Sequence, residues 1–228
     1  YAIDATEVTR GQYAAWMATD PSTDGQDAWC GWNTSFLPTY SAPKKGCVAE
    51  AWPPASDMLQ YPMGCVDWCD AQAYCRGVGK RLCGAIGGGA NPLDAWADPA
   101  ASQWFNACSS GGLHNYPYGG NPDLGETDGS EPETCGTADP SAYALLPVGS
   151  FPECVSHEPG YEGVYDLSGN VWEWEDSCTG PTDQYDSCRA RGGAAGDNAE
   201  RLRCAEDTYA IQFRLFLHVG LGFRCCAP

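Results

Sequence analysis

Apolar residues fall at helical spacing in three stretches, all in the first half of the chain. In the first, Tyr13, Trp16 and Met17 share a face, Thr9 and Gln12 have the spacing of a capping box, and Val8 and Tyr13 are placed to staple its start. In the second, Asp67 is a good N-cap with Asp70 in the first turn. Trp68, Ala71 and Cys75 line one side of it, and Gly77 and Gly79 stop it. A third helix is expected to begin at Asp98-Pro99, setting Ala101, Trp104, Phe105 and Cys108 along one stripe. Ahead of all three, Tyr1-Ala2-Ile3-Asp4 reads as a short strand.

From about residue 110 the pattern changes to short apolar runs broken by Gly, Pro, Asn and Asp. Leu145-Leu146-Pro147-Val148, Val164-Tyr165-Asp166-Leu167 and Phe213-Arg214-Leu215-Phe216-Leu217 are the clearest. These predict short strands and turns, with long loops at 20–64 and 119–142. No internal repeat and no interdomain linker interrupts the pattern. The expected class is α+β, with few short helices, short strands and many loops, as one domain over 1–228.

Composition explains how so irregular a chain could hold together. Fourteen cysteines are spread along 228 residues that also contain 28 Gly and 17 Pro. They lack the C-x2-C pairs of zinc sites and suit disulfides in an extracellular, cell-surface or periplasmic setting. A net charge of -18 excludes nucleic acid as a natural partner and favours cations. No apolar run is long enough to span a bilayer, so membrane insertion by this segment is not expected. Any export signal is expected upstream of residue 1.

The segment from Gly163 to Trp174, G-V-Y-D-L-S-G-N-V-W-E-W, carries the most chemical information. Carboxylates at Asp166 and Glu173 around a backbone-freeing Gly169 can surround a hard cation with oxygen. The residues by themselves also suit a turn with two solvated acids and two core tryptophans.

This segment resembles the signature of the formylglycine-generating enzyme family, the sulfatase-modifying factors, whose fold is a variant of the C-type lectin fold. Further motifs follow in the family's order. They are Glu7-Val8-Thr9 with Gln12-Tyr13, Val66 to Ala71, Gly79-Lys80-Arg81-Leu82, Tyr116-Pro117-Tyr118-Gly119, Pro147 to Phe151, Arg191-Gly192-Gly193 and Leu221 to Cys225. The likeness covers nearly the whole chain, and only the family's usual N-terminal start is missing.

The resemblance implies a structural calcium site made by the Asp166 side chain, the Gly169 and Val171 carbonyls and the Glu173 carboxylate. It places the family's second calcium site between Gly119 and Pro147, where this chain has an acidic insert around Asp123, Glu126, Asp128 and Glu131. It also implies bridges Cys75 to Cys225 and Cys108 to Cys204. Proximity alone suggests Cys178 with Cys188 and Cys135 with Cys154, while Cys30, Cys47, Cys65, Cys69, Cys83 and Cys226 remain unassigned.

In the family's oxidases two cysteines five apart bind copper(I) between the "RGG" strand and the last internal cysteine motif. Here that interval, Ala194 to Glu200, contains none. Its Asp197, Asn198 and Glu200 are hard oxygen donors that do not select copper(I), so no copper is expected. His114, His157 and His218 lack ligand-like spacing for the iron used by other branches. Asn33-Thr34-Ser35 is a glycosylation sequon. Trp68, Trp104, Trp172 and Trp174 are expected in the core.

The expected function is a non-catalytic, calcium-stabilised extracellular binding or adhesion domain. Its lectin-like loop surface, around Ala194 to Gly220, would take an unknown protein or glycan ligand. The alternatives are a divergent metal-dependent oxidase of the formylglycine-generating or non-haem-iron kind, or a structural subunit of a cell-surface assembly.

Overall fold

The computed structural model describes residues 1–38, 47, 52–120, 135, 144–207 and 210–227. Helix α1, Arg10–Met17, starts where Thr9 Oγ1 accepts the Gln12 N–H at 3.1 Å and Gln12 Oε1 accepts the Thr9 N–H at 2.8 Å. Helix α2, Trp68–Gly77, repeats the device with two acids. Asp67 accepts from the Asp70 N–H and Asp70 accepts from the Asp67 N–H. Gly77 does not stop α2 but forms its last residue. A Cβ there would lie 2.3 Å from Trp16 Nε1, so glycine lets the α1 indole cross the helix end, while Gly79 at φ +75° makes the turn that follows.

Helix α3, Gln103–Cys108, begins later than Asp98-Pro99. Ser102 Oγ takes the cap by accepting the Phe105 N–H at 3.0 Å, whereas Asp98 accepts the Ala100 N–H in a turn ahead of the helix.

Among the described residues seven short strands form two sheets. β1 (Ala2–Ile3) and β2 (Arg81–Leu82) flank β7 (Cys225–Ala227), both antiparallel to it. The second sheet runs in the order β5 (Ile211–Phe213), β4 (Ser187–Arg191), β3 (Trp172–Cys178), β6 (Leu221–Phe223), and its β3–β6 pair is parallel. Residues 145–148 and 164–167, expected as strands, are irregular, and of 213–217 only Phe213 joins a strand. Their backbones find partners outside a ladder: the Tyr165 N–H donates to Ala5 O at 2.7 Å and the Val148 N–H to Gln60 O at 2.9 Å.

Two apolar clusters sit on these sheets. Tyr13, Trp16, Tyr74 and Phe223 make a set of ring contacts at 5.1–6.4 Å between α1, α2 and β6. Trp104, Phe105 and Leu167 pack with Cys83, Cys108, Cys204 and Cys226 in the second cluster.

All fourteen cysteines are paired: 30–69, 47–65, 75–225, 83–226, 108–204, 135–154 and 178–188. At about 2 to 4 kcal/mol each, such bridges offset the sparse hydrogen-bonded structure. A full set of disulfides is also what an oxidising compartment produces. Among the described residues no helix is long and apolar enough to cross a membrane.

Candidate functional site

The Asp166–Asn170 loop owes its shape to residues that tolerate left-handed backbone: Asp166 at φ +59°, Gly169 at +84° and Asn170 at +54°. Its side chains tie it inward. Asp166 Oδ2 accepts the Gly149 N–H at 2.6 Å, and Asn170 donates to Glu7 Oε1 at 2.9 Å while its own oxygen accepts the Leu146 N–H.

Directly after this loop, Glu173 on β3 is fully buried. Its two oxygens accept from Arg224 Nε and Nη2 at 2.6–2.9 Å, and Oε2 also accepts from Trp104 Nε1 at 2.9 Å. Glu173 is thus the counter-ion of Arg224, whose remaining donors reach Asp4 O and Tyr165 O. Burial disfavours the charged guanidinium, but Glu173, with Glu7 and Asp166 beyond it, leaves the Arg224 pKa raised.

Glu7 lies at the edge of the same group. Burial, reinforced by the Asp166 charge, pushes its carboxyl well above the usual carboxylate range, and its buried Oε2 has no hydrogen-bond partner. Glu7, Asp166 and Glu173 gather three buried carboxyls against the single guanidinium of Arg224. The unpartnered Glu7 oxygen among them is a hard donor of the kind a divalent cation takes. No three Asp, Glu, His or Cys side chains lie close enough to hold a metal among the described residues, so an ion here would depend on backbone carbonyls as well. The acidic insert at Asp123, Glu126, Asp128 and Glu131 lies outside the described residues.

On the other side of β3 opens a cavity of about 550 Å³. Its wall includes Ala194 to Asn198 and Arg201, with Trp172, Phe216 and His218 as aromatic faces. Trp172, expected in the core, is instead only partly buried and lines this cavity, while Trp68, Trp104 and Trp174 are buried.

Asp197 organises the wall. Its Oδ2 accepts from Trp172 Nε1 and from the Ala194 N–H, both at 2.9 Å, and its Oδ1 accepts from Arg201 Nη1 at 2.9 Å. The indole is held in place by this bond. His218 stacks on Phe216 with an interplanar angle of 6°, and its Nδ1 accepts the Gly220 N–H at 3.1 Å, which places the neutral ring's proton on Nε2. Just before this wall the chain needs glycine, because a Cβ at Gly193, φ +73°, would lie 2.8 Å from Leu202 Cδ2 and 2.9 Å from Arg201 O.

Sequence reasoning placed the cavity segment but missed Asp197 as its anchor and Glu7 as a member of the carboxylate group. A signal for Asp197 existed in its position three residues after Ala194 and four before Arg201. No local signal joined Glu7 to residues more than 150 positions away. The other two histidines lie elsewhere: His114 Nε2 is 3.0 Å from Glu158, and His157 faces Glu153 on the surface. Asn33 of the sequon is buried, with its amide nitrogen donating to Asp70 Oδ1 at 2.7 Å, so in the folded chain that nitrogen is enclosed.

Two curled sheets and seven disulfides, with the Asp166–Asn170 loop leading into β3, define a disulfide-rich α+β domain of the formylglycine-generating-enzyme fold. A profile of the sulfatase-modifying factor enzyme 1-like domain matches residues 1–227, and the chain belongs to that family. It is 32% identical over 180 residues to inactive C-alpha-formylglycine-generating enzyme 2 of Bos taurus, covering 75% of this chain and 52% of the relative. It is 26% identical to the formylglycine-generating enzyme of Streptomyces coelicolor, over 98% of this chain and 76% of that one. The chain spans about half the length of the mammalian relatives it matches. PvdO from Pseudomonas aeruginosa shares the fold at TM-score 0.62 and 20% identity, over 98% of this chain and 78% of that one.

Proposed function

We propose that this chain is a non-catalytic, calcium-stabilised binding domain that works extracellularly, at a cell surface or in a periplasm. One observation carries the reading. The cavity wall is built from the interval in which the family's oxidases hold their copper(I) thiolates, and every cysteine of this chain is in a disulfide elsewhere. What remains is a shaped recess with fixed aromatic faces and polar edges, in keeping with the word "inactive" in the name of the bovine relative.

The recess suits a glycan or a protein segment as ligand. Trp172, Phe216 and His218 offer flat faces for stacking, while Asn198 and Gln212 offer amides. Calcium would be held at the Asp166 loop by the Asp166 carboxylate and the Gly169 and Val171 carbonyls, with Glu173 sharing its carboxylate with Arg224. The ion would neutralise buried acid and pin backbone that no ladder holds.

Glycan and peptide arrays probed with the native domain and with Trp172→Ala test the reading. Binding that falls about tenfold or more in the variant is expected, the size of a lost aromatic contact. Metal analysis of the same preparation should give calcium. Stoichiometric copper or iron, or binding that ignores Trp172, would overturn the proposal.

A further inference from the structure

The bridge between Cys178 and Cys188 differs from the other six in reach, register and span. Cys178 is the one cysteine of the fourteen that is not fully buried; the remaining thirteen are at most 2% exposed. It stands directly opposite Cys188 across the antiparallel β3–β4 pair, with a Cα–Cα distance of 4.0 Å against 4.8–5.8 Å in the other bridges. That is closer than disulfides usually hold two backbones. It also closes the shortest loop, with a sequence separation of 10, where the others range from 18 to 150.

These features act together. A thiolate must approach a sulfur from solvent, and Cys178 is the one cysteine that is partly exposed. A bridge between strands that are already paired contributes little to the topology, so its opening need not disturb the rest. Glu173 still pairs with Arg191 and Trp174 with Ala190, and β5 and β6 still flank the two strands.

We infer that Cys178–Cys188 is a thiol–disulfide exchange site, open to a dithiol reductant while the other six bridges stay closed. A thiolate of the dithiol attacks Cys178 Sγ, the Cys178–Cys188 bond breaks, and Cys188 Sγ leaves with the electron pair and takes a proton. The second thiol of the reductant then displaces Cys178 from the mixed disulfide. The protein gains two electrons and two protons as cysteine thiols, and the dithiol becomes a disulfide.

The bridge sits on the pocket's scaffold. Ala190 on β4, Gln212 opposite Cys188 on β5, and Trp172 on β3 all line the cavity. Exchange would therefore change the covalent tie at one end of these strands while their pairing persists.

The test is a dithiothreitol titration of the native protein without denaturant, quenched with iodoacetamide and mapped by mass spectrometry. Cys178 and Cys188 should be alkylated about tenfold or more faster than any other pair, with the near-ultraviolet spectrum of the tryptophans retained. Prior opening of another bridge, or reduction of all seven in a single step with loss of that spectrum, would overturn the inference. A Cys178→Ser, Cys188→Ser double variant provides the control and should take up no label at the dithiol concentration that labels the native chain.

Discussion

Glu173 shows how much one side chain can depend on its partners. A carboxylate with no exposed surface is tolerable only because a bidentate guanidinium and an indole N–H satisfy both its oxygens. Glu173→Gln should destabilise the domain by about 3–5 kcal/mol in urea unfolding, since it strands a buried Arg224 charge. Replacing both partners together with Leu and Met should cost less than the single change, and a larger cost for the pair would refute this account. The sequence showed the acid and the arginine as parts of separate motifs. It could not show them paired, because their contact spans 51 positions and depends on β3 and β6 running parallel.

At the level of elements, legibility follows locality. The caps of α1 and α2 were readable because the bonds that make them lie within four residues of each other. The late start of α3 was not, since Asp98-Pro99 is as good a local start as Ser102 and only packing of Trp104 and Phe105 decides between them. Strands of two or three residues carry almost no periodic signal, and irregular segments such as 164–167 look like strands until their long-range partners are known. The cavity wall was legible as the family's altered interval, but its stiffness depends on Asp197 and on the two glycines before it. Gly193→Ala should cost about 1–3 kcal/mol in thermal or urea unfolding, because a side chain at φ +73° must push Leu202 or the Arg201 carbonyl aside. An unchanged midpoint would show that this turn relaxes freely.

Across the whole molecule, buried acids set the response to pH. Burial raises the Asp67 carboxyl to about 7 and that of Asp176 to about 6, and burial with the Asp67 charge lifts Asp70 as well. Each keeps its proton in the folded state over a range where the unfolded chain has lost it. The contribution of Asp67 and Asp176 to stability is therefore fully present below about pH 4 and is lost as pH rises through about 6 to 7, and Asp70 acts in the same direction. The urea midpoint should be higher at pH 5 than at pH 7.5, and Asp67→Asn, which keeps an oxygen for the Asp70 N–H, should flatten that slope. A midpoint that climbs over this interval would contradict it. The net charge of -18 acts in the same direction, because protonation relieves self-repulsion.

The strand β7 sits between β1 and β2 and supplies Cys225 and Cys226, partners of Cys75 and Cys83. During synthesis the ribosome releases this strand only after more than 220 residues have emerged, so the first sheet has no centre until then. Cys75 and Cys83 must wait as thiols, or in wrong pairs that an isomerase then resolves, while the second sheet and its bridges can already form. Biogenesis of this fold is therefore a closing event that waits for the domain's last strand, and its rate is set by the longest loops it has to close.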